Sequence, residues 1–403
     1  IFAPDKPIPA LHAFRIRNED DDWVQARMRD RIVNELAAET YSGRASYRNV
    51  AAFINGEYWG HYVARERLDN YFVRDNFGAD PDSVQMVKTF LDLNLGATVD
   101  VAESGTLDDF QSMTNFIANM NMNNAANFQK ASQLLDLDNF TDYIATEVFV
   151  ASTDWLQDYY NNIRLFKTKK NAPWKFLLWD VSYSSGNASG CSSCDVLGST
   201  LGNNSRYGYM LTNLLDNPEY RRYFINRFAD LMNTSFLPTR AHALINSNAA
   251  ELGPEIDRHN QRWGTGDFDA WSQSVEALRN FYTDRPSNQR GHIIDNFPLD
   301  QEVSITLNVN PPGAGTVKIS TVVPPSLPWT GIYFHGNPVT VTAIANPGFS
   351  FSNWSANANI SNPAAISFTA DVAGNTTFTA NFSGASEPIS LKISEINYHS
   401  EST

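Results

Sequence analysis

The sequence predicts two folds in series, an α+β domain over residues 1–300 followed by an all-β sandwich of immunoglobulin-like type over residues 301–385. In the first part, apolar residues recur at both helical and strand spacings, which is typical of α+β domains. The composition changes near Asp300, beyond which the chain carries only seven charged residues. Short alternating runs then follow one another between Pro-Gly turns, as in the strands of a sandwich.

The first predicted elements are a strand and a helix. Residues 13–18 alternate apolar and basic side chains, which predicts a strand. The acidic cluster 19–22 is expected to cap a helix that carries Trp23, Met28 and Leu36 at helical spacing.

A β-hairpin and a series of helices follow. Asn55-Gly56 lies between two apolar runs and is a strong short-range hairpin signal. A helix is then predicted to end near Phe77-Gly78. Further helices are predicted at 106–120, at 139–152 and through most of 209–298.

The second domain shows regular strand patterns. After Pro388, the run 389–398 is typical of a first strand, so residues 386–403 are predicted to be a linker and the truncated start of a further β domain. Within the sandwich, strands are predicted at 303–309, 339–345 and 376–382.

The charge balance excludes some classes of partner. Lys and Arg total 30 and Asp and Glu total 44, which gives a net charge of −14 and a pI near 4.9. Nonspecific nucleic-acid binding requires a basic surface, so we expect no nucleic-acid partner, and adhesion to anionic lipid is disfavoured. No apolar run is long enough to span a bilayer, so no transmembrane segment is predicted. The chain begins at Ile1 rather than Met and is expected to be a processed or partial chain.

The two cysteines, Cys191 and Cys194, form a single CxxC in a segment rich in Ser, Gly and Asn. A zinc site would need four thiolate or imidazole ligands, and no second pair is present. A local disulfide is favoured over free thiols and would fit an oxidising compartment. The surrounding segment, 181–205, is expected to be mobile or to cover a site.

The stretch from Asp154 to Asp180 carries the candidate chemistry. Two bulky apolar runs, 162–166 and 174–179, flank a polar turn and predict paired strands. Asp154, Asn162 and Asp180 would then lie near the ends of neighbouring elements. Two acids and an amide suit phosphoryl transfer, in which one carboxylate orients the attacking hydroxyl and oxygen ligands hold Mg²⁺. The structural alternatives are a helix cap at Asp154 and a turn residue at Asp180.

Four motifs in a fixed order carry a family resemblance over residues 11–298. They are Phe14-Arg15-Ile16-Arg17-Asn18; Gly56-Glu57-Tyr58-Trp59-Gly60 with Arg65-Glu66-Arg67; Thr153-Asp154-Trp155 with Asn161-Asn162; and Trp174-Lys175-Phe176 with Trp179-Asp180. In these motifs the sequence resembles the CotH kinases, the spore-coat protein H type. The resemblance implies an atypical protein kinase with an α+β kinase-like core and no Gly-rich loop, and this sequence likewise has no GxGxxG.

The resemblance also implies roles for individual residues. Asp154 would accept the proton of the substrate hydroxyl. Asn162 or Asn161, together with Asp180, would coordinate Mg²⁺ or Mn²⁺ bound with ATP. Calcium is an alternative as a structural ion.

A cation on the first strand, Arg17 or Arg15, would meet the nucleotide phosphates. Glu66 would hold that cation as an ion pair. The alternative is that Arg65, Glu66 and Arg67 form a solvated or structural salt-bridge cluster.

One position departs from the family pattern. The family commonly continues with a second acid two residues after the Trp-Asp acid, and this sequence has Ser182 there. Loss of a carboxylate should weaken the binding of metal and nucleotide. A catalytically degenerate domain that acts as a surface adhesin or assembly component is therefore the second hypothesis. A third hypothesis treats Asp154, Asp180 and Glu66 as carboxylates for glycoside hydrolysis.

The C-terminal part resembles secreted bacterial repeat modules, and residues 393–398 resemble the opening of a lamin-tail-like domain. These resemblances imply a protein that is secreted or held at the surface of a bacterium. Its partner would be a protein substrate or another component of a surface assembly.

Overall fold

Two folds follow one another along the chain, as the sequence predicts. The computed structural model describes residue 6 and residues 11–156, 160–187 and 190–385. The chain divides into two units, Ile1–Gln301 and Glu302–Thr403. The linker and strand predicted at 386–403 lie outside the described residues.

The described residues of the first unit form two antiparallel sheets. Their strands are β1 Phe14–Arg17, β2 Tyr47–Ile54, β3 Glu57–Glu66, β4 Gln85–Asp92, β5 Ala97–Ser104, β6 Ile163–Lys167 and β7 Lys175–Leu177. The smaller sheet has the order β1-β3-β2 and the larger has the order β5-β4-β6-β7. The predicted hairpin at Asn55-Gly56 joins β2 to β3, and the predicted strand pair around the polar turn is β6 and β7, with Leu165 opposite Phe176. Both predictions are confirmed.

Ten α-helices complete the described part of the first unit. They are α1 Arg29–Leu36, α2 Asn70–Phe77, α3 Asp108–Asn119, α4 Ala125–Leu134, α5 Leu137–Phe149, α6 Val196–Leu201, α7 Arg206–Asp216, α8 Pro218–Met232, α9 Pro238–Trp263 and α10 Phe268–Asn296. The helices predicted at 106–120, 139–152 and across 209–298 correspond to α3, α5 and α7 to α10. None of the described helices is both long enough and apolar enough to cross a membrane.

Helix α1 begins later than the sequence predicts. The buried Asp22 carboxylate accepts a hydrogen bond from the backbone N–H of Arg29 at 3.0 Å and another from the Arg29 guanidinium, so it caps the helix there. Arg27 has a left-handed φ of 61°, which is incompatible with a helix that runs through it. The prediction that Trp23 and Met28 lie on this helix is therefore wrong. The acidic cluster itself forms a short 3₁₀ turn.

Helix α5 lies at the centre of the core of the first unit. Every residue from Asn139 to Phe149 is buried. The carboxylate of Asp142 pairs with Arg227 of α8 through hydrogen bonds of 2.7 and 2.8 Å, and it accepts the backbone N–H of Tyr41 at 2.7 Å. Removing one partner of such a buried pair costs about 3–5 kcal/mol, so this contact fixes how α8 packs on α5.

Glu147 lies further along α5 and is also buried. Burial raises the pKa of its carboxyl from 4.5 to about 8, although a hydrogen bond involving Ser152 opposes the shift. Its Oε2 atom has no hydrogen-bond partner among the described residues. The folded protein therefore holds a proton on Glu147 at neutral pH.

The C-terminal end of α5 is fixed by Arg285 of α10. This buried guanidinium donates to the carbonyls of Val148 at 2.7 Å and Phe149 at 2.8 Å, which have no partners within their own helix. It also donates, at 2.9 and 2.7 Å, to two carbonyls of the turn that the Cys191–Cys194 disulfide closes. One side chain thus ties the end of α5 to the segment after β7.

Part of that Ser/Gly/Asn-rich segment is buried in the fold. Ser184 and Ser185 are fully buried, and the hydroxyl of Ser185 lies 2.8 Å from that of Tyr282 on α10. The backbone N–H of Ser185 donates to Val150 at 2.6 Å, and α6 lies in the same segment. Small hydroxyl side chains fit here because their polar atoms find partners inside the protein.

The second unit is made of strands in two sheets, as the sequence predicts. The strands are β8 Glu302–Asn310, β9 Gly315–Ile319, β10 Trp329–Phe334, β11 Val339–Ala345, β12 Phe349–Ala356, β13 Ser367–Ala370 and β14 Thr376–Gly384. The sheets have the orders β10-β8-β14-β12 and β13-β11-β9, and only β8 and β14 pair in parallel. Phe368 of the second sheet contacts Trp354 and Phe378 of the first, with ring centroids 5.2 and 5.1 Å apart. The two sheets therefore pack face to face.

Strand β3 packs against α9 through the Gly-Glu-Tyr-Trp-Gly motif. Trp263 Nε1 donates to the carbonyl of Trp59 at 2.6 Å, and the backbone N–H of His61 donates to His259 Nδ1 at 2.9 Å. Between them Gly60 has a φ of 126°, and a Cβ there would lie 2.7 Å from Trp263 Nε1 and 2.8 Å from His259 Nδ1. This position therefore requires glycine for both its conformation and its close approach.

Replacing Gly60 with Ala is expected to lower the free energy of unfolding by about 3 kcal/mol, because the left-handed conformation is strained for alanine and the methyl group displaces α9. Urea denaturation of the full chain, followed by tryptophan fluorescence, measures this loss. The matched control is Gly291→Ala in α10, where a Cβ meets nothing within 4 Å. That change should stabilise the helix by about 0.5–1 kcal/mol. Equal stability of the two variants would contradict this account of the motif.

Replacing Glu147 with Gln is expected to remove one source of pH dependence from the stability of the first unit. Because the pKa of Glu147 is raised from 4.5 to about 8, its contribution is fully present below pH 4.5 and is lost as the pH rises towards 8. The wild type should therefore lose stability relative to Glu147→Gln across this range. Thermal unfolding at a series of pH values checks the difference, and parallel curves for the two proteins would refute it.

Candidate functional site

An open cleft of about 420 Å³ lies beside the smaller sheet of the first unit. Strands β1 and β3 supply the guanidinium groups of the cleft, and the segment after β7 supplies an acid and an aromatic ring. The lining residues are Arg15, Ile16, Arg17, Asp20, Arg65, Trp179 and Asp180. Three arginines beside an exposed opening form a surface that attracts anions.

Asp180 stands at the edge of this cleft, directly after β7. Its Oδ1 atom lies 2.7 Å from the Arg17 guanidinium and 3.4 Å from the Ser182 hydroxyl, whereas its Oδ2 atom accepts no hydrogen bond from the described residues. Burial alone would lower the pKa of Arg17, but the carboxylates of Asp180 and Asp30 outweigh it and raise that pKa. For Asp180, burial raises the pKa of the carboxyl and the Arg17 guanidinium opposes that shift. One carboxylate oxygen of Asp180 is available to a ligand.

Asp30 of α1 fixes the position of both sides of the cleft. Its carboxylate accepts hydrogen bonds of 2.8 Å from Arg65 on β3 and from the Tyr47 hydroxyl on β2. It also accepts the backbone N–H of Val181 at 3.2 Å, next to Asp180. One buried acid thus joins α1, the smaller sheet and the segment that carries Asp180.

Asp154 lies on a neighbouring loop that is bonded to the same segment. The backbone N–H of Thr153 donates to the carbonyl of Tyr183 at 3.0 Å. The side-chain amide of Asn161 donates to both oxygens of Asp154, at 3.0 and 2.9 Å, and that of Asn162 donates to Oδ2 at 3.0 Å. Two amides therefore hold the carboxylate in one orientation, half-buried beside the loop of Asp180.

The two asparagines differ in their remaining oxygen atoms. Asn161 Oδ1 accepts the backbone N–H of Leu91 at 3.0 Å and is used within the fold. Asn162 Oδ1 accepts no hydrogen bond from the described residues, and the residue adopts a left-handed φ of 54°. Of the two candidates for a metal ligand, the geometry favours Asn162.

Asp21 brings a further carboxylate to Ser182. Its Oδ2 atom lies 3.5 Å from the Ser182 hydroxyl. The pKa of Asp21 is raised by burial and by the like charges of Asp20 and Asp180, whereas a hydrogen bond from Tyr183 opposes the shift. Because the family's second acid is replaced by Ser182 in this chain, Asp21 restores a carboxylate to that neighbourhood from a different segment.

Arg15 and Arg65 have donor atoms that the described residues leave unused. Arg15 is exposed and forms no ion pair or hydrogen bond with them, and burial together with the charges of Arg65 and Arg67 lowers its pKa. Arg65 is buried, but its Nε atom has no hydrogen-bond partner in the described part of the chain. The exposed guanidinium of Arg15 is therefore the one of these two groups that is open to an anion in the cleft.

Glu66 does not take the predicted role. Arg65 is opposite Arg15 in the β1–β3 pair, and successive side chains alternate, so Glu66 lies on the face away from Arg15 and Arg17. Its Oε2 atom is instead 3.1 Å from Lys6 Nζ. The prediction that Glu66 holds either strand arginine as an ion pair is therefore wrong.

The alternative, a structural salt-bridge role for Arg65, Glu66 and Arg67, agrees better with the contacts, although each of the three side chains pairs with a residue outside the group. Arg65 pairs with Asp30 at 2.8 Å, and Arg67 pairs with Asp69 at 3.2 Å. The placement of Glu66 behind the sheet also removes it from any carboxylate set with Asp180, as glycoside hydrolysis would require.

Residues in strained backbone conformations surround the site. Outside glycine, a positive φ is uncommon, and such residues gather at functional sites. Those here are Glu19, Asp20, Ala151, Asn162, Asp180 and Ser185, with φ values of 65°, 43°, 52°, 54°, 61° and 49°. The surrounding hydrogen bonds hold the loops of Asp154 and Asp180 in these conformations.

The donor set fits a metal ion that arrives with phosphates. The described residues contain no cluster of three or more His, Cys, Asp and Glu side chains that could hold an ion alone. The free oxygens of Asp180 and Asn162 would suffice for Mg²⁺, which is usually held by one or two protein ligands together with phosphates and water. The roles of Mg²⁺, Mn²⁺ and Ca²⁺ stay predictions.

The sequence did not indicate Arg65 as part of the cleft or Asp30 as the acid that supports it. Arg65 lies in one of the family motifs, but only its pairing with Arg15 shows which face it occupies. Asp30 is buried, and no local pattern shows that its carboxylate reaches Arg65, Tyr47 and Val181.

Two family models match the chain. The model described as CotH kinase protein matches residues 4–288, and the model described as Divergent InlB B-repeat domain matches residues 305–386. No curated protein matches the chain. The lamin-tail resemblance at 393–398 stays a prediction. The CotH kinase match covers more than half of the chain. The chain therefore belongs to the CotH kinase family, and a divergent InlB B-repeat domain follows the family domain.

Proposed function

We propose that the first unit transfers the γ-phosphoryl group of ATP to a hydroxyl group of a protein, with Mg²⁺ or Mn²⁺. The observation that carries this proposal is the arginine-lined cleft with Asp180 at its edge and the oriented carboxylate of Asp154 on the adjoining loop. Family membership supports the choice of reaction class, and the geometry supports the choice of residues.

The phosphates are bound first of all by Arg15. Its guanidinium is exposed and forms no ion pair or hydrogen bond with the described residues, whereas Arg65 is buried and paired with Asp30. Arg17 is already paired with Asp180 and Asp20, so it orients the acid more than it binds phosphate. Guanidinium groups bind phosphate oxygens in charge-assisted pairs, which suits a polyphosphate chain.

The metal site combines Asp180, Asn162 and the bound phosphates. Asp180 and Asn162 would hold the metal ion, which would supply positive charge to the phosphates. Asp180 offers Oδ2, Asn162 offers Oδ1, and Asp21 lies beside Ser182. The loss of the second acid at Ser182 is therefore offset within this fold.

Asp154 acts on the attacking hydroxyl group. Its two amide donors fix the orientation of the carboxylate without neutralising its charge. A carboxylate held in this way orients the hydroxyl and accepts its proton as the bond to phosphorus forms.

A catalytically degenerate surface component is the second candidate function. The Arg17–Asp180 pair favours it, because an acid already neutralised by a cation binds a metal ion less strongly. In both cases we propose a secreted or cell-surface protein of a bacterium, which is consistent with the disulfide and the B-repeat domain. The partner is a protein substrate in the first case and a component of a surface assembly in the second.

ATP is expected to bind the full chain in Mg²⁺, and Arg15→Ala is expected to weaken that binding about tenfold to a hundredfold. A hydrogen bond to a charged group contributes about 1.5–3 kcal/mol, and each 1.4 kcal/mol is tenfold in affinity. Isothermal titration calorimetry measures the change. Asp180→Ala should weaken binding only when Mg²⁺ is present, since without metal its removal makes the cleft more positive.

Lys169→Ala is the control for this experiment, because Lys169 is an exposed cation on the β6–β7 turn. It should leave the affinity unchanged. If wild-type protein gave no heat with ATP in either Mg²⁺ or Mn²⁺, the kinase proposal would be abandoned in favour of the surface component.

Asp154→Asn is expected to lower phosphoryl transfer by about 10²–10⁴-fold while ATP affinity stays within about twofold, because Asp154 acts on the hydroxyl and not on the nucleotide. Incorporation of labelled γ-phosphate into the chain itself and into casein measures transfer. The exposed Asp82→Asn serves as the control and should transfer at the wild-type rate. Wild-type transfer by Asp154→Asn would show that another group accepts the proton.

A further inference from the structure

We propose that the Cys191–Cys194 disulfide is a site of reversible thiol–disulfide exchange with an external dithiol, and that its reduction loosens the loop that carries Asp154. The exchange chemistry goes beyond the proposed function, and only an effect on phosphoryl transfer rests on that function. The chain has no other cysteines, so the number of free thiols reports on this site alone.

The disulfide lies where an external thiol can reach it. Cys191 is exposed and Cys194 is half-buried, so Cys191 is the more accessible residue of the pair. The backbone N–H of Cys191 lies 3.2 Å from Cys194 Sγ, and the Arg285 guanidinium donates to the Cys194 carbonyl at 2.7 Å. An N–H donor and a nearby cation stabilise a thiolate. Cys194 is therefore the better leaving group, and Cys191 is the residue that an incoming thiolate attacks.

The exchange takes place in two steps. In the first, a thiolate of the dithiol forms a bond to Cys191 Sγ, the Cys191–Cys194 bond breaks, and its electron pair leaves with Cys194 Sγ. In the second, the other thiol of the dithiol loses its proton to solvent and attacks the mixed disulfide, which releases Cys191 as a thiolate. The protein gains two electrons, the dithiol becomes a disulfide, and the two cysteine thiolates take up protons from solvent.

Arg285 connects this turn to the core. The guanidinium has five N–H donors, and described residues accept all of them. Two donors bind the carbonyls of Ser192 and Cys194 in the turn, two bind the last carbonyls of α5, and one binds Gln289. None of these acceptors is charged. Burial lowers the pKa of Arg285 to about 10, so the group is still a cation at neutral pH. A buried cation without a bonded carboxylate depends on every one of its acceptors, including the two in the turn.

The residue before the disulfide turn packs directly against the backbone that leads to Asp154. A Cβ on Gly190 would lie 2.6 Å from the carbonyl oxygen of Ala151, so the two backbones are in close contact. The carbonyl of Gly190 also accepts the backbone N–H of Gly186 at 2.7 Å. Ala151 has a left-handed φ of 52°, and such a residue persists only where its surroundings hold it. Opening the turn therefore removes support from Ala151 and from the loop that follows it.

Amide hydrogen exchange on the full chain, read by mass spectrometry, tests both parts of the proposal. Dithiothreitol in native buffer should raise the free thiols from none to two per chain, and oxidised glutathione should reverse this. Exchange across residues 150–154 should become about tenfold faster in the reduced protein, since the loss of one hydrogen bond corresponds to about that factor. Exchange in α3 should stay the same.

Variants separate the disulfide from the arginine. The double variant Cys191→Ser with Cys194→Ser should exchange fast at 150–154 whether or not dithiothreitol is present. Arg285→Lys keeps the disulfide but has three donors on one atom in place of the planar guanidinium, so it should exchange fast in both states. Ser192→Ala is the matched control in the same turn, because its carbonyl can still accept from Arg285, and it should behave like the wild type. If the first two do not fold, the comparison of oxidised with reduced wild type decides alone.

Each outcome supports or overturns a stated part of the proposal. Thiols that appear only after denaturation would show that the disulfide is a closed structural cross-link, and the exchange site would be refuted. Reduction without faster exchange at 150–154 would overturn the coupling to Asp154. Transfer to casein, measured in both redox states, should be lower in the reduced protein. If wild type transfers nothing in either state, the proposed function fails, and the exchange data still decide this inference.

Discussion

The buried carboxylate of Asp30 is the contact on which the candidate site depends. It accepts hydrogen bonds from Arg65, from Tyr47 and from the backbone of Val181, so it connects two strands and the segment of Asp180 to α1. Such a group is costly to bury unless all its partners are in place, which makes the arrangement all-or-none. The Asp22 carboxylate sets where α1 begins and therefore where Asp30 stands.

The arginines near the site differ in whether a carboxylate already contacts them. Arg17, Arg65 and Arg164 each contact a carboxylate, which keeps them in place before any ligand arrives. Arg15 has no such contact with the described residues and lines the arginine cleft. Preformed pairs fix the shape of the site, and the unpaired charge of Arg15 remains available to an anion.

Sequence reasoning predicted the local elements well and the long-range contacts poorly. Asn55-Gly56 was sufficient to predict the β2–β3 hairpin, and the apolar runs were sufficient to predict the pairing of β6 with β7. Both succeed because neighbouring residues determine a hairpin. The order of the family motifs along the sequence indicated Asp154, Asn162 and Asp180, because that order reflects the chemical roles of the motif residues. The Glu66 pairing was wrong because strand register decides which face a side chain occupies, and register depends on a partner strand more than forty residues away. The role of Asp30 required the packing of α1, which no local pattern contains.

The Gly60 contact has a consequence for how the family motif is used. Gly-Glu-Tyr-Trp-Gly is the most distinctive stretch of the sequence, yet Trp59 and Gly60 contact α9 and not the arginine cleft. A relative that retained this stretch and lost Asp154 would still pack its β2–β3 hairpin against α9. The motif therefore indicates that the scaffold is retained. Catalytic activity must be judged from the acids and amides of the loops that carry Asp154 and Asp180.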